Sequence, residues 1–203
     1  PDLFEFFFTD SDDDEVPDIA RRSLYSDRFH FNGLGHQIVA QLWYNALVGD
    51  GTGTAISPFY LSEPTVAGYQ QNLIEVGDEL KIDDFETVES FPAFLEDAIW
   101  IMTAQADAGT DGSNFLSFRA TRPTTLYVAY DASASGLPGW LNPATSSFEA
   151  VPGDPVIRTS EGSYRLFRRN YAAGTSPVLG GNRAGGGNAS LMYHPIVVDS
   201  SGN

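Results

Sequence analysis

Between residues 33 and 48 the apolar side chains Leu34, Ile38, Val39, Leu42, Trp43, Ala46 and Leu47 recur at intervals of three and four, the spacing of an amphipathic helix. Asn32 can accept from a free amide of its first turn, and Gly49 can end it in a left-handed conformation. Residues 49–62 follow neither period and are rich in Gly, Thr, Ser and Pro, which marks an inter-domain linker. Beyond it the pattern shortens to β-branched and aromatic runs bounded by turn residues, at 80–82, 98–103, 115–120, 124–130, 155–159, 164–170 and 191–198. Such runs predict an antiparallel β-sandwich. The glycine-rich stretch 180–188 reads as a flexible loop between two of its strands. The expected fold is therefore mainly β: a sandwich over 79–203, a linker over 49–78, and a small α/β piece, a loop plus the amphipathic helix, over 1–48.

Composition narrows the function classes. The chain has 203 residues and no cysteine, which removes disulfide frameworks, thiolate metal sites and thiol catalysis. No apolar run approaches the roughly 18 residues of a membrane-spanning helix. The formal charge is -16, and it is uneven: residues 1–100 hold 20 acidic against 4 basic side chains, whereas residues 101–203 hold 7 against 7. An acidic field without a basic patch repels phosphate backbones, so nucleic acid is excluded as a partner. The single lysine, Lys81, fits both a salty extracellular medium and an ordinary secreted protein. No basic and apolar leader follows Pro1, so the expectation is the C-terminal part of a larger secreted protein. The aromatic start, Phe4-Glu-Phe-Phe-Phe8, needs a partner surface and makes self-association a candidate property.

One string carries candidate chemistry: Asp27-Arg-Phe-His30-Phe-Asn-Gly-Leu-Gly-His36. An Asp three residues before a His, just ahead of a capped helix, lets the carboxylate hold one ring nitrogen while the other faces a cleft. The motif is short, and a hydrogen-bonded histidine without a catalytic role is the plain alternative. In context the block, with the helix bearing Trp43, resembles the closing segment of SGNH/GDSL-type ester hydrolases, and Pro1-Asp-Leu-Phe-Glu-Phe-Phe resembles the segment before it. That resemblance covers residues 1–48 and implies that His30 is the general base and Asp27 its orienting acid. His36 has no role in it. The Gly-Asp-Ser nucleophile and the two oxyanion blocks of that family do not occur in these 203 residues: Gly77-Asp78 is followed by Glu79, and Gly153-Asp154 by Pro155. The serine must then come from a missing N-terminal portion or a companion chain.

A second set of strings spans residues 85–199: Phe91-Pro-Ala-Phe-Leu95, Asn114-Phe-Leu-Ser-Phe118, Leu126-Tyr-Val-Ala-Tyr-Asp131, Gly136-Leu-Pro-Gly-Trp-Leu141, Tyr171-Ala-Ala-Gly-Thr175 and Leu179-Gly-Gly-Asn182. They resemble a β-sandwich appended to bacterial extracellular polysaccharide-degrading enzymes, which implies a polysaccharide or acylated glycan as partner. Arg169-Asn170-Tyr171 departs from the Lys or Asp that often precedes the aromatic there. Sugar recognition needs aromatic faces for pyranose rings and polar groups for hydroxyls. Trp140, Tyr130, Tyr171 and Tyr193 are the candidate platforms, and Arg165, Arg168 and Arg169 the candidate partners for uronates or sulfates. A sandwich also buries aromatics, so core packing is the alternative for each, least so for Trp140 in its Pro-Gly-Trp turn.

No organic cofactor is expected. Two acidic loops are candidates for structural calcium. The run from Asp10 to Asp14 alternates like a ligand loop but has Glu15 and Arg21 where an EF-hand needs Gly and an acid. The stretch Asp107-Ala-Gly-Thr-Asp111-Gly-Ser-Asn114 offers clustered oxygens, with a plain turn as the alternative. The sequence thus leads to the C-terminal portion of a secreted bacterial polysaccharide-directed esterase with a glycan-binding domain. The alternative is a non-catalytic binding or self-assembling module.

Overall fold

A computed structural model describes residue 56, residues 60–61 and residues 68–200, all within the second of the chain's two units, Gly53–Asn203. The helix expected over 33–48 and the Asp27/His30 block lie outside the described residues. The strands are β1 (Tyr60–Leu61), β2 (Gln70–Leu73), β3 (Val88–Ser90), β4 (Ile99–Met102), β5 (Leu116–Ser117), β6 (Thr124–Asp131), β7 (Glu149–Ala150), β8 (Val156–Thr159), β9 (Ser163–Tyr171), β10 (Val178–Leu179) and β11 (His194–Asp199). The described part is mainly β and antiparallel throughout its sheets, as the alternating pattern predicts.

The two layers are unequal. The larger sheet is curled and runs β2-β4-β11-β6-β9-β8-β3, with β7 pairing β9 beyond the end of β8. A small sheet of two-residue strands runs β1-β5-β10. At the centre, β6 exchanges eight pairs with β9 and six with β11. These strands are buried on both faces, which is why Leu126-Tyr-Val-Ala-Tyr-Asp131 reads as an almost continuous apolar run. On one face Leu126, Val128, Tyr130, Phe167 and Val197 pack with Leu116 and Leu179 of the small sheet. On the other, Ala129, Leu166, Ile196 and Trp100 pack with Leu80 and Leu95 from the irregular chain before β4 and with Val88 of β3. Pro195 sits where β11 pairs β6 alone, a position that does not ask for the amide it lacks.

The structure differs from the sequence pattern at the N-terminal side. Residues 70–73 pair with β4 inside the stretch read as linker, and 80–82 form no strand: Lys81 makes an isolated bridge to Thr103, and Glu79 just before makes one to Thr87. Gln70-Gln-Asn-Leu73 forms an edge strand exposed along most of its length, so no apolar alternation announces it. β7 and β10 are too short to show a period.

The glycine-rich stretch 180–188 is not the loose loop it resembles. Asn182 is fully buried; its side-chain amide donates to Ala108 O (3.2 Å) and Leu191 O (3.1 Å), and its carbonyl accepts from the Tyr130 hydroxyl at 3.1 Å. Gly181 lies so close to Thr110 that an added Cβ would stand 2.5 Å from that carbonyl oxygen. A methyl there has no room, because the Thr110–Asp111 peptide it would strike is backbone. Gly181→Ala is therefore expected to cost about 1–3 kcal/mol of stability, measured by chemical denaturation. Gly109→Ala, where nothing stands within 4 Å of the new methyl, serves as the neutral control.

Candidate functional site

One rung of the larger sheet is buried at its middle and open to solvent at both ends. Read across the strands it is Asn72, Trp100, Ile196, Tyr127, Arg168 and Glu149, one residue each from β2, β4, β11, β6, β9 and β7. Antiparallel register places all of them on the same face. Trp100 and Ile196 are buried, Tyr127 and Arg168 are half-buried, and Glu149 is exposed. The gradient arises because the segment from Phe91 to Leu95, with its single 3-10 turn (Ala93–Leu95), covers only part of the rung. Phe91 packs edge-on against Trp100, ring centres 5.7 Å apart, and Phe94 lies over Tyr127 at 5.3 Å with a tilt of 32°. The neighbouring Leu95 is buried and anchors the turn. Phe94 keeps 43% of its surface exposed. There the cover stops.

Beyond that edge the polar groups are paired and held. Arg168 Nε donates to Glu149 Oε1 at 2.7 Å, and this carboxylate pushes the guanidinium pKa above its ordinary value. Two residues along the strands on the same face, the Thr125 hydroxyl donates to Asn170 Oδ1 at 2.9 Å, which leaves the exposed Asn170 amide nitrogen pointing its donors elsewhere. An aromatic pair thus borders a guanidinium, a carboxylate and an amide on a rigid ladder. This ledge can stack an apolar ring face and exchange hydrogen bonds with hydroxyls beside it.

The residues singled out from sequence do not share one place. Arg168 belongs to the ledge, whereas Tyr171, an odd-numbered neighbour on β9, faces the opposite side and lies under the Arg169 guanidinium at 4.8 Å. Tyr130 is fully buried and shows no ring face to solvent. Trp140 is half-buried: its indole N–H donates to Gly181 O at 3.0 Å, and its ring meets Phe148 and Tyr193 edge-on. Tyr193 is buried and donates to Gly180 O. Arg165 donates to Ala134 O at 2.8 Å and crosses the Phe167 ring. The Asp107 carboxylate is buried and accepts from Tyr69 at 2.9 Å. Among the described residues no group of three or more His, Asp or Glu could hold a metal ion. Asp27 and His30 lie outside the described residues. Sequence reasoning missed Phe94, Tyr127 and Glu149. The first two stand in the quoted strings at 91–95 and 126–131, but only the register shows that they meet Arg168.

The same face holds a buried polar network toward the other end of these strands. The Lys81 ammonium meets Glu86 at 2.8 Å, Asp84 at 3.2 Å and Glu161 at 3.3 Å. Glu86 also accepts from the Tyr164 and Thr159 hydroxyls. Burial disfavours the lysine charge, but Glu86 outweighs it and leaves the pKa raised. Tyr164 is pushed up by burial and by the same carboxylate. His194 lies against Tyr164 with Nε2 3.4 Å from its hydroxyl, and Nδ1 lies 3.1 Å from the Thr103 hydroxyl. Burial, with Lys81 as a lesser cause, pushes the imidazole down to about 3. With both side chains of the Lys81–Glu86 pair sealed from solvent, this network fixes the chain between β2 and β3 onto the sheet.

No protein-family model matches the chain, and no curated protein matches it. Among solved structures it is similar to a β-glucuronidase from glycoside hydrolase family 2, with 22% identity and a TM-score of 0.60 over 70% of this chain. The match covers 14% of that enzyme's chain, so what is shared is the fold of one β-rich part of a carbohydrate-active enzyme. A further alignment, with a glycoside hydrolase of family 138 that targets pectin rhamnogalacturonan II, has 12% identity and a TM-score of 0.47 over 83% of this chain and 20% of that one.

The buried histidine has a measurable signature. Its pKa is about 3 in the fold against an ordinary 6.5, so between those values the unfolded chain binds a proton that the folded chain refuses. The contribution of His194 to stability is complete above pH 6.5 and is lost as pH falls through the window, by up to about 1.4 kcal/mol per pH unit. NMR of the ring should show a neutral imidazole at pH 5, and His194→Gln should flatten the stability profile between pH 6 and about 4.

Proposed function

We propose that residues 68–200 form a glycan-binding accessory domain of a secreted carbohydrate-active protein. In this reading Phe94 and Tyr127 take the apolar face of a pyranose, and Arg168, Glu149 and Asn170 take the hydroxyls beside it. The observation that carries it is the half-exposed aromatic pair where the cover of the Trp100–Glu149 rung ends, bordered by hydrogen-bonding groups already fixed in place. A fold shared with part of a β-glucuronidase supports the polysaccharide setting. So do the strings that resemble the domain appended to polysaccharide-degrading enzymes.

The catalytic half of the proposal rests on residues 27–36 alone. There His30 takes the proton of a serine supplied by the rest of the protein or by a companion chain, and Asp27 orients the imidazole. The reaction is ester hydrolysis on an acylated glycan. The two halves are tested separately.

Phe94→Ala removes the exposed ring without opening the core, so it should weaken polysaccharide binding by about 1 kcal/mol, roughly fivefold in Kd. Retardation in polysaccharide-containing native gels, with thermal unfolding as a control, reads this out. Equal retardation of variant and parent assigns binding elsewhere. For the hydrolase half, His30→Ala in the complete protein should abolish turnover of acetylated polysaccharide while its circular dichroism is unchanged; undiminished turnover removes His30 from the mechanism.

A further inference from the structure

The ledge carries a charge pattern that bears on which glycans it takes. Arg168 is the guanidinium an anionic sugar would seek, and Glu149 already holds it at 2.7 Å from the neighbouring strand. Glu149 itself is exposed, so its carboxylate faces whatever approaches that guanidinium. Arg122, just before β6, is itself held by Asp199 at 3.1 Å. Building on the glycan reading above, we infer that this ledge selects uncharged polysaccharides over those bearing uronate or sulfate groups.

A carboxylate or sulfate on the remaining guanidinium N–H groups must share the cation with Glu149, and one that takes Nε must displace it, exchanging one anion for another on the same guanidinium. In either case Glu149 faces the new anion at close range. Displacement therefore gains one ion pair, loses one, and leaves a like-charge contact. A neutral hydroxyl pair meets the opposite situation. One hydroxyl accepts from a remaining guanidinium N–H and another donates to the second carboxylate oxygen, with the Arg168–Glu149 pair left intact. The pair is a two-headed hydroxyl clamp whose arms are brought together by the pairing of β7 with β9. Phe94 and Tyr127 supply the apolar surface on which an uncharged ring face lies. Acting as the clamp's second arm and as the guard against anions, Glu149 is a specificity-determining residue.

The test uses the full chain in native gels containing matched polymers that share a backbone and differ in charge: hydroxyethyl cellulose with carboxymethyl cellulose, and highly methyl-esterified pectin with polygalacturonate. Retardation by the neutral member of a pair, with weaker retardation by its charged counterpart, is the expected result. Glu149→Gln should then narrow the neutral-to-charged ratio by about threefold, the scale of an exposed ion pair. Phe94→Ala should weaken retardation by the neutral polymer and leave that ratio unchanged, which separates stacking from charge selection. Charged polymers retarded as strongly as their neutral partners, or a ratio unmoved by Glu149→Gln, overturn the selectivity while the glycan reading survives. Retardation by neither member of any pair overturns the glycan reading itself, and the selectivity with it.

Discussion

A sheet whose central strands are buried on both faces must be covered twice, and here each cover consists largely of chain without a ladder of its own. Backbone amides and carbonyls in such chain still need partners once water is excluded. The fold meets this with a small number of buried polar anchors. On one face Glu86 accepts from Lys81, Tyr164 and Thr159 and so ties the segment before β3 to β8 and β9. On the other, Asn182 reaches Ala108, Leu191 and Tyr130, joining three irregular stretches to β6. Glycines at 180, 181 and 187 let that second anchor close, since a side chain at any of them would enter Trp140, Thr110 or Asn182.

These anchors decide where the surface can do something. Because the segment from Phe91 to Leu95 is set by Phe91 on Trp100 and by buried Leu95, Phe94 is left astride the boundary between core and water. Its partner Tyr127 is held by a ladder on either side, so the pair has little freedom to lose when a ligand arrives. In the proposed reading, binding and packing share one rung: its middle, Trp100 and Ile196, stabilises the sheet, and Tyr127, Arg168 and Glu149 lead out to solvent.

How much of this the sequence discloses depends on the period of each element. β6, β9 and β11 are long, β-branched and aromatic, and their spans are readable to within a few residues. β2 is polar and at an edge, and β7 is two residues long, so neither carries a pattern. The candidate site followed the same division. Arg168 is visible because it lies in a legible strand, whereas Glu149 is joined to it only through the pairing of β7 with β9. Aromatics that draw attention in sequence, Tyr130 and Tyr193 above all, serve the interior, where their hydroxyls donate to loop carbonyls. The less conspicuous Phe94 is the one left exposed, since exposure there is a consequence of where a neighbouring turn ends.

A ledge made from one aromatic pair, one ion pair and one amide gives a small contact, and a stack of this kind contributes about 0.5–1.5 kcal/mol beyond the area it covers. On its own such a surface binds a sugar weakly. Weak binding suffices for a domain attached to a catalyst, because the tether converts the second encounter with a long polymer into an intramolecular event at high effective concentration. A polymer with repeated identical units also offers the ledge many registers, so release at one unit is followed by capture at the next. In the proposed arrangement, then, the rigidity of the rung is worth more than its area. A mobile ring pair would spend its small gain on being ordered, while the ladder from Asn72 to Glu149 holds Tyr127, and Phe94 above it, in place before any glycan arrives.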